Sequence, residues 1–188
     1  MTVGTAGRNP ARKLGPGERH KALVGIRLDL PDEAATRALA VRLAAHARAG
    51  DVIGLKGPLG AGKTTFARAF IAARAALSGV EVDDVPSPTF TLVQTYDFPG
   101  DPALSPTVFH VDLYRIENPD ETIELGLEDA FASGICLIEW SERLGRFLPR
   151  SRIELTLAPG ATESARIAEI VGFGVGNKRL KEAGYNDR

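Results

Sequence analysis

A chain of 188 residues with a net charge of −1 and one cysteine has room for one domain with a full core and no comfortable second one. The balanced charge gives no electrostatic case for non-specific nucleic-acid binding, so no DNA partner is expected, and a lone Cys136 excludes an internal disulfide. No run approaches the roughly 18 apolar residues of a membrane span, and residues 1–17 hold no signal-peptide core; a soluble, cytoplasmic chain with no membrane partner is expected.

Residues 1–21 lack hydrophobic periodicity and read as a disordered extension. The domain is expected over 22–173, with a second disordered tail over 174–188. Ala22 to Leu28 reads as a strand. Pro31-Asp32-Glu33 then opens a helix, with proline and acids in its first turn, and its apolar face runs through Leu39, Leu43 and Ala47 until Gly50.

Asp51 to Lys56 is a short apolar strand, followed by Gly57-Pro58-Leu59-Gly60-Ala61-Gly62-Lys63-Thr64. This is G-x-x-x-x-G-K-[ST] between a strand and a helix. In that setting the glycines let backbone N–H groups close on phosphate oxygens at the positive end of a helix. Gly60, Ala61, Gly62 and Thr65 belong to this phosphate-binding turn. Lys63 would reach the β- and γ-phosphates and the Thr64 hydroxyl would hold Mg²⁺. The motif predicts a nucleoside triphosphate ligand.

Pro86-Ser87-Pro88 enforces an extended entry into a strand expected over Thr89 to Tyr96. Its partner is Val108 to Tyr114, across the proline-rich loop from Phe98 to Pro106, and the pair reads as an antiparallel insertion. A helix from Glu121 to Ala132 leads into Ile135-Cys136-Leu137-Ile138, whose unbroken apolar run suits a central parallel strand. A short helix (Ser141 to Phe147) and strands at Arg152 to Leu157 and Ala165 to Val171 complete the chain. The predicted fold is α/β: a three-layer P-loop sandwich with a mixed sheet.

Two acids compete for the metal. Ligands of open α/β sheets sit at the carboxyl ends of parallel strands. Glu139 closes the apolar run, so it is the expected metal ligand beside Thr64. Polar and apolar residues alternate before Asp112, which assigns it to the inserted strand as a water-positioning or conformation-sensing group near the γ-phosphate. Ser87 and Thr89 either contact the γ-phosphate or Mg²⁺, as switch loops do, or serve a plain turn. His110 reads as a partly buried structural histidine.

Two guanine-nucleotide signals are decoys. Asn177-Lys178-Arg179-Leu180 lacks the aspartate of N-K-x-D, and Asp51-Val52-Ile53-Gly54 spells D-x-x-G on the wrong side of the P-loop. ATP is therefore the expected nucleotide.

The loop Gly57 to Thr65, Ser87-Pro88-Thr89-Phe90, His110-Val111-Asp112-Leu113-Tyr114-Arg115, Glu124-Leu125-Gly126-Leu127 and Leu137-Ile138-Glu139-Trp140 occur in the order seen in the TsaE (YjeE) family. The resemblance spans roughly Leu28 to Val171. It implies an ATPase needed for threonylcarbamoyladenosine formation in bacterial tRNA, acting through a TsaB–TsaD pair and meeting tRNA only through that complex. It implies Mg²⁺ on Thr64 and Glu139, turnover dependent on Lys63, Asp112 and Glu139, and Thr89 and Trp140 near the nucleotide. It also implies adenine near Asp32 and Thr36. Two other readings stay open: a small-molecule kinase, whose only dense candidate for an arginine lid is Glu142 to Phe147 with Arg150 and Arg152 beyond, and a nucleotide-gated binding module without significant hydrolysis.

Overall fold

The computed structural model describes residues 23–82, 84–101 and 104–185; the extension expected over 1–21 lies outside them. The strands are β1 (Leu23–Leu30), β2 (Val52–Lys56), β3 (Val93–Tyr96), β4 (Val108–Asp112), β5 (Ile135–Glu139), β6 (Arg152–Pro159) and β7 (Arg166–Phe173). The α-helices are α1 (Glu33–His46), α2 (Lys63–Leu77), α3 (Leu127–Ser133) and α4 (Val175–Glu182), and 3-10 helices occupy Pro119–Leu125 and Ser141–Phe147. One seven-stranded sheet runs β1-β7-β6-β2-β5-β4-β3. Its centre is parallel, because β2 pairs in parallel with both β5 and β6, and β4 with β5. Antiparallel strands β1, β7 and β3 flank it.

Period-2 alternation divides the core between two faces. On one face Ile53, Leu55, Leu137 and Leu155 meet Leu39 and Leu43 of α1, Phe66 and Phe70 of α2, and Leu180 of α4. On the other, Val52, Val111, Cys136 and Ile138 meet Leu127 and Ala130 of α3 and Leu144 of the second 3-10 helix. This is the expected three-layer α/β sandwich with a mixed sheet. Cys136 is the buried apolar residue its context predicts, and burial pushes its thiol up to about 12.

Four expectations change. The strand expected from Thr89 begins only at Val93, because Leu92 takes a left-handed conformation (φ 62°) and its N–H turns back to Pro88 O at 2.7 Å. Strand β4 is not the inserted strand: it pairs in parallel with β5, with Asp112 opposite Glu139, and only β3 is the antiparallel addition. Its alternation arises because His110 and Asp112 are themselves buried polar residues. The helix expected over 121–132 is broken at Gly126 (φ 60°).

The tail expected to be loose from Gly174 instead forms α4, with Leu180 and Ala183 buried. Its glycines are points of close approach: a Cβ on Gly176 would lie 2.0 Å from Arg152 O. The two guanine-motif decoys meet here, as Arg179 Nε donates to Asp51 Oδ2 at 2.6 Å.

Candidate functional site

The P-loop turns out of β2 on three glycines with positive φ, Gly57 (131°), Gly60 (75°) and Gly62 (100°). Gly57 admits no side chain, because a Cβ there would lie 2.1 Å from Leu157 O. Helix α2 starts at Lys63 with Gly62 as N-cap and no side-chain cap, so its first-turn N–H groups are left for a ligand. Above it opens a cleft of about 380 Å³ lined by Gly60, Ala61, Gly62, Lys63, Thr64 and Thr65, and by Thr89, Asp112, Glu139 and Trp140. The structure thus brings the phosphate-loop residues and both acids to one cavity.

Lys63 is held inward. Its ammonium donates to Gly57 O (2.7 Å) and Pro58 O (2.8 Å) and lies 3.8 Å from the centroid of the Trp140 ring. Burial pushes the ammonium below its usual range, against the pull of Glu139, Glu142 and Asp112. Trp140 takes the left-handed conformation (φ 58°), at a cost of about 1–2 kcal/mol for a residue with a Cβ. Its N–H bond to Leu55 O (2.9 Å) and its packing on the Tyr114 ring (5.3 Å) offset that cost and keep the indole facing the lysine.

Glu139 is buried, with Oε2 accepting from the Thr64 hydroxyl at 2.8 Å and Oε1 2.9 Å from His110 Nε2. His110 is wholly buried rather than partly so. Asp112 accepts from the Thr89 hydroxyl on Oδ2 (2.8 Å) and from Tyr114 N–H on Oδ1 (2.9 Å), and Ser87 Oγ bonds Thr89 Oγ1 at 2.8 Å. The proline-bracketed turn is therefore wired to Asp112 through hydroxyls.

The start of α1 divides. Thr36 lines the cleft, but the Asp32 carboxylate is occupied as the N-cap, accepting from Ala35 N–H at 2.8 Å. Glu33, Ser164 and Arg166, none a predicted site residue, also line the cleft, as does Tyr114 of the His110-to-Arg115 motif. Arg166 reaches from β7 to the P-loop, donating to Gly60 O and Ala61 O at 3.1 Å each. Its only sequence signal is its place at the start of the last strand, beside the loop that ends β6.

A family model described as "Threonylcarbamoyl adenosine biosynthesis protein TsaE" matches residues 30–167. The chain belongs to the TsaE family. A relative named "tRNA threonylcarbamoyladenosine biosynthesis protein TsaE" from Bacillus subtilis is 38% identical over 150 residues, covering 79% of this chain and 84% of its own. Its namesake from Rickettsia bellii is 40% identical over 128 residues, covering 68% and 83%. The crystal structure of Bacillus subtilis YdiB superposes with a TM-score of 0.68 at 28% identity, covering 88% of this chain and 97% of the other.

The TsaE cleft suits a hard cation in one respect: Thr64 and Glu139 set two oxygens side by side at the head of α2. Mg²⁺ takes oxygen donors, commonly one or two carboxylates plus substrate phosphates. Among the described residues no cluster of three or more His, Cys, Asp and Glu could hold a metal. An ion on Thr64 and Glu139 would depend on phosphate and water for the rest of its shell. Among the same residues no helix is long and apolar enough to cross a membrane.

Proposed function

We propose that this chain binds Mg-ATP in the P-loop cleft and hydrolyses it slowly, as the cytoplasmic ATPase subunit for threonylcarbamoyl modification of adenosine in tRNA, working through a TsaB–TsaD complex. The observation that carries this reading is the convergence of Lys63, the Thr64–Glu139 pair and Asp112 on one cleft at the uncapped start of α2. Lys63 exchanges two carbonyl partners for phosphate oxygens, a stronger charge-assisted bond. Thr64 and Glu139 hold the cation, which when bound neutralises charge on the β- and γ-phosphates.

Asp112 supports slow turnover by the chain alone. Each of its oxygens already accepts one bond, from Thr89 and from Tyr114 N–H, so a shift of the Ser87–Thr89 turn would free one of them to orient an attacking water. A partner docking beside that turn would supply the shift, coupling nucleotide state to partner affinity.

Phosphate release measured with the chain alone and with a TsaB–TsaD complex tests the proposal. Stimulation by the complex, abolished in Lys63→Ala, is expected. Transfer of the γ-phosphate to a small acceptor would instead support the kinase reading. Depletion of the protein should lower threonylcarbamoyladenosine in tRNA hydrolysates, and an unchanged level would sink the pathway assignment.

A further inference from the structure

We infer that His110 is a positioning residue that holds the Glu139 carboxylate in place for Mg²⁺, a reading that rests on the function proposed above. His110 is fully buried on the face of β4 that looks toward α2, and Nε2 lies 2.9 Å from Glu139 Oε1. With a carboxylate as acceptor the proton sits on Nε2. The other ring nitrogen, Nδ1, is buried with no partner.

That orphan atom is informative. A buried polar atom without a hydrogen bond is costly, and a leucine would fill similar space without the cost. What the histidine contributes is therefore its bond to Glu139.

The need for that bond follows from the other side of the carboxylate. Oε2 accepts from the Thr64 hydroxyl, whose oxygen would meet Mg²⁺ through a lone pair while its O–H still points at Glu139. His110 is the other side-chain partner of this buried carboxylate, and it is itself wholly buried. The histidine fixes the rotation of the carboxyl group and keeps Oε2 aimed at the ion. Hydrogen bonds to a ligating carboxylate from behind are known to change metal affinity about 10–100-fold. His110 also precedes Asp112 by two residues on the same strand face, and Asp112 lies opposite Glu139 in the ladder. The bond thus ties both acids to one rigid strand pair.

The test uses full-length protein and Mg²⁺ titrated into the protein–ATP mixture, read by calorimetry, with ATP affinity in chelator measured alongside. His110→Leu removes the bond, His110→Gln places an amide N–H at similar reach, and His110→Asn stops short of Glu139. Mg²⁺ affinity should fall about tenfold or more in His110→Leu, with Mg²⁺-free ATP affinity within about twofold of wild type. His110→Gln should recover most of the loss and His110→Asn little.

Should the leucine variant fail to fold, the glutamine–asparagine pair carries the same comparison. Equal Mg²⁺ affinity in wild type and His110→Asn, or a parallel loss with and without Mg²⁺, overturns the assignment. Glu139→Gln separates the two levels. If it leaves Mg²⁺ affinity unchanged, the metal-site reading itself is wrong; if it weakens Mg²⁺ while His110→Asn and His110→Leu do not, only the role of His110 is.

Discussion

At the amino end of the sheet Asp51 and Arg179 close on each other at 2.6 Å, with Arg48 N–H and Glu182 completing the set. At the carboxyl end Glu139, Asp112 and Lys63 are buried as deeply, yet their partners are hydroxyls, carbonyls, a histidine and an indole ring. The first set is neutralised by permanent counter-charge and has nothing left to offer. The second is satisfied in part by partners that a ligand can replace, such as the two carbonyls that hold Lys63. Burial of charge alone does not mark a functional site; what marks it is how exchangeable the partners are.

The largest effect that can break this contrast is on stability. Asp51→Ala removes the acceptor of both Arg179 and Arg48 N–H, leaves Arg179 with Glu182 alone, and should cost about 3 kcal/mol in denaturant unfolding, with ATP affinity of the folded fraction unchanged. Lys63→Ala should do the reverse, weakening ATP binding by roughly 100-fold in calorimetry while moving the melting temperature little. Asp112→Asn should slow phosphate release by about 100-fold and leave Mg-ATP affinity within about threefold. If binding fell as far as turnover, Asp112 would be a ligand-holding group rather than a water-positioning one.

The smallest effect is acid-linked. Burial pushes the Glu154 carboxyl upward, but bonds from Lys56 (2.8 Å) and Arg152 outweigh it and hold the group below its ordinary 4.5. A depressed carboxylate stabilises the fold above its unfolded value and loses that contribution as pH falls through its folded value. Glu154→Gln should therefore cost about 1–2 kcal/mol at pH 7, and the gap to wild type should close below pH 4.5. A gap that persisted in acid would show that packing, not charge, sets its size.

Much of this was legible in the residues. The P-loop and Glu139 could be read because each motif is contiguous and carries its own backbone requirement, a glycine turn or an apolar strand ending in an acid. The parallel pairing of β4 was not legible, because buried His110 and Asp112 imitate the alternation of a half-exposed strand. Helix α4 was hidden because its short run shows no clear hydrophobic periodicity, and the close approach of Gly176 to the start of β6 leaves no trace in the sequence. Arg166 belongs to no local pattern: its contact with Gly60 spans 106 positions in sequence, a distance no motif records. The occupied carboxylate of Asp32 is the opposite case, a bond only three positions long in which capping chemistry competes with ligand chemistry for one side chain.

The ladder that sets Asp112 opposite Glu139 works as a caliper of fixed jaw. Parallel strands in the middle of a sheet do not slide, since a shift of one residue would turn every side chain to the wrong layer. The Pro86–Leu92 turn grips one jaw at two points, by the Thr89 hydroxyl and by the Leu92 carbonyl, while the jaws themselves keep the gauge.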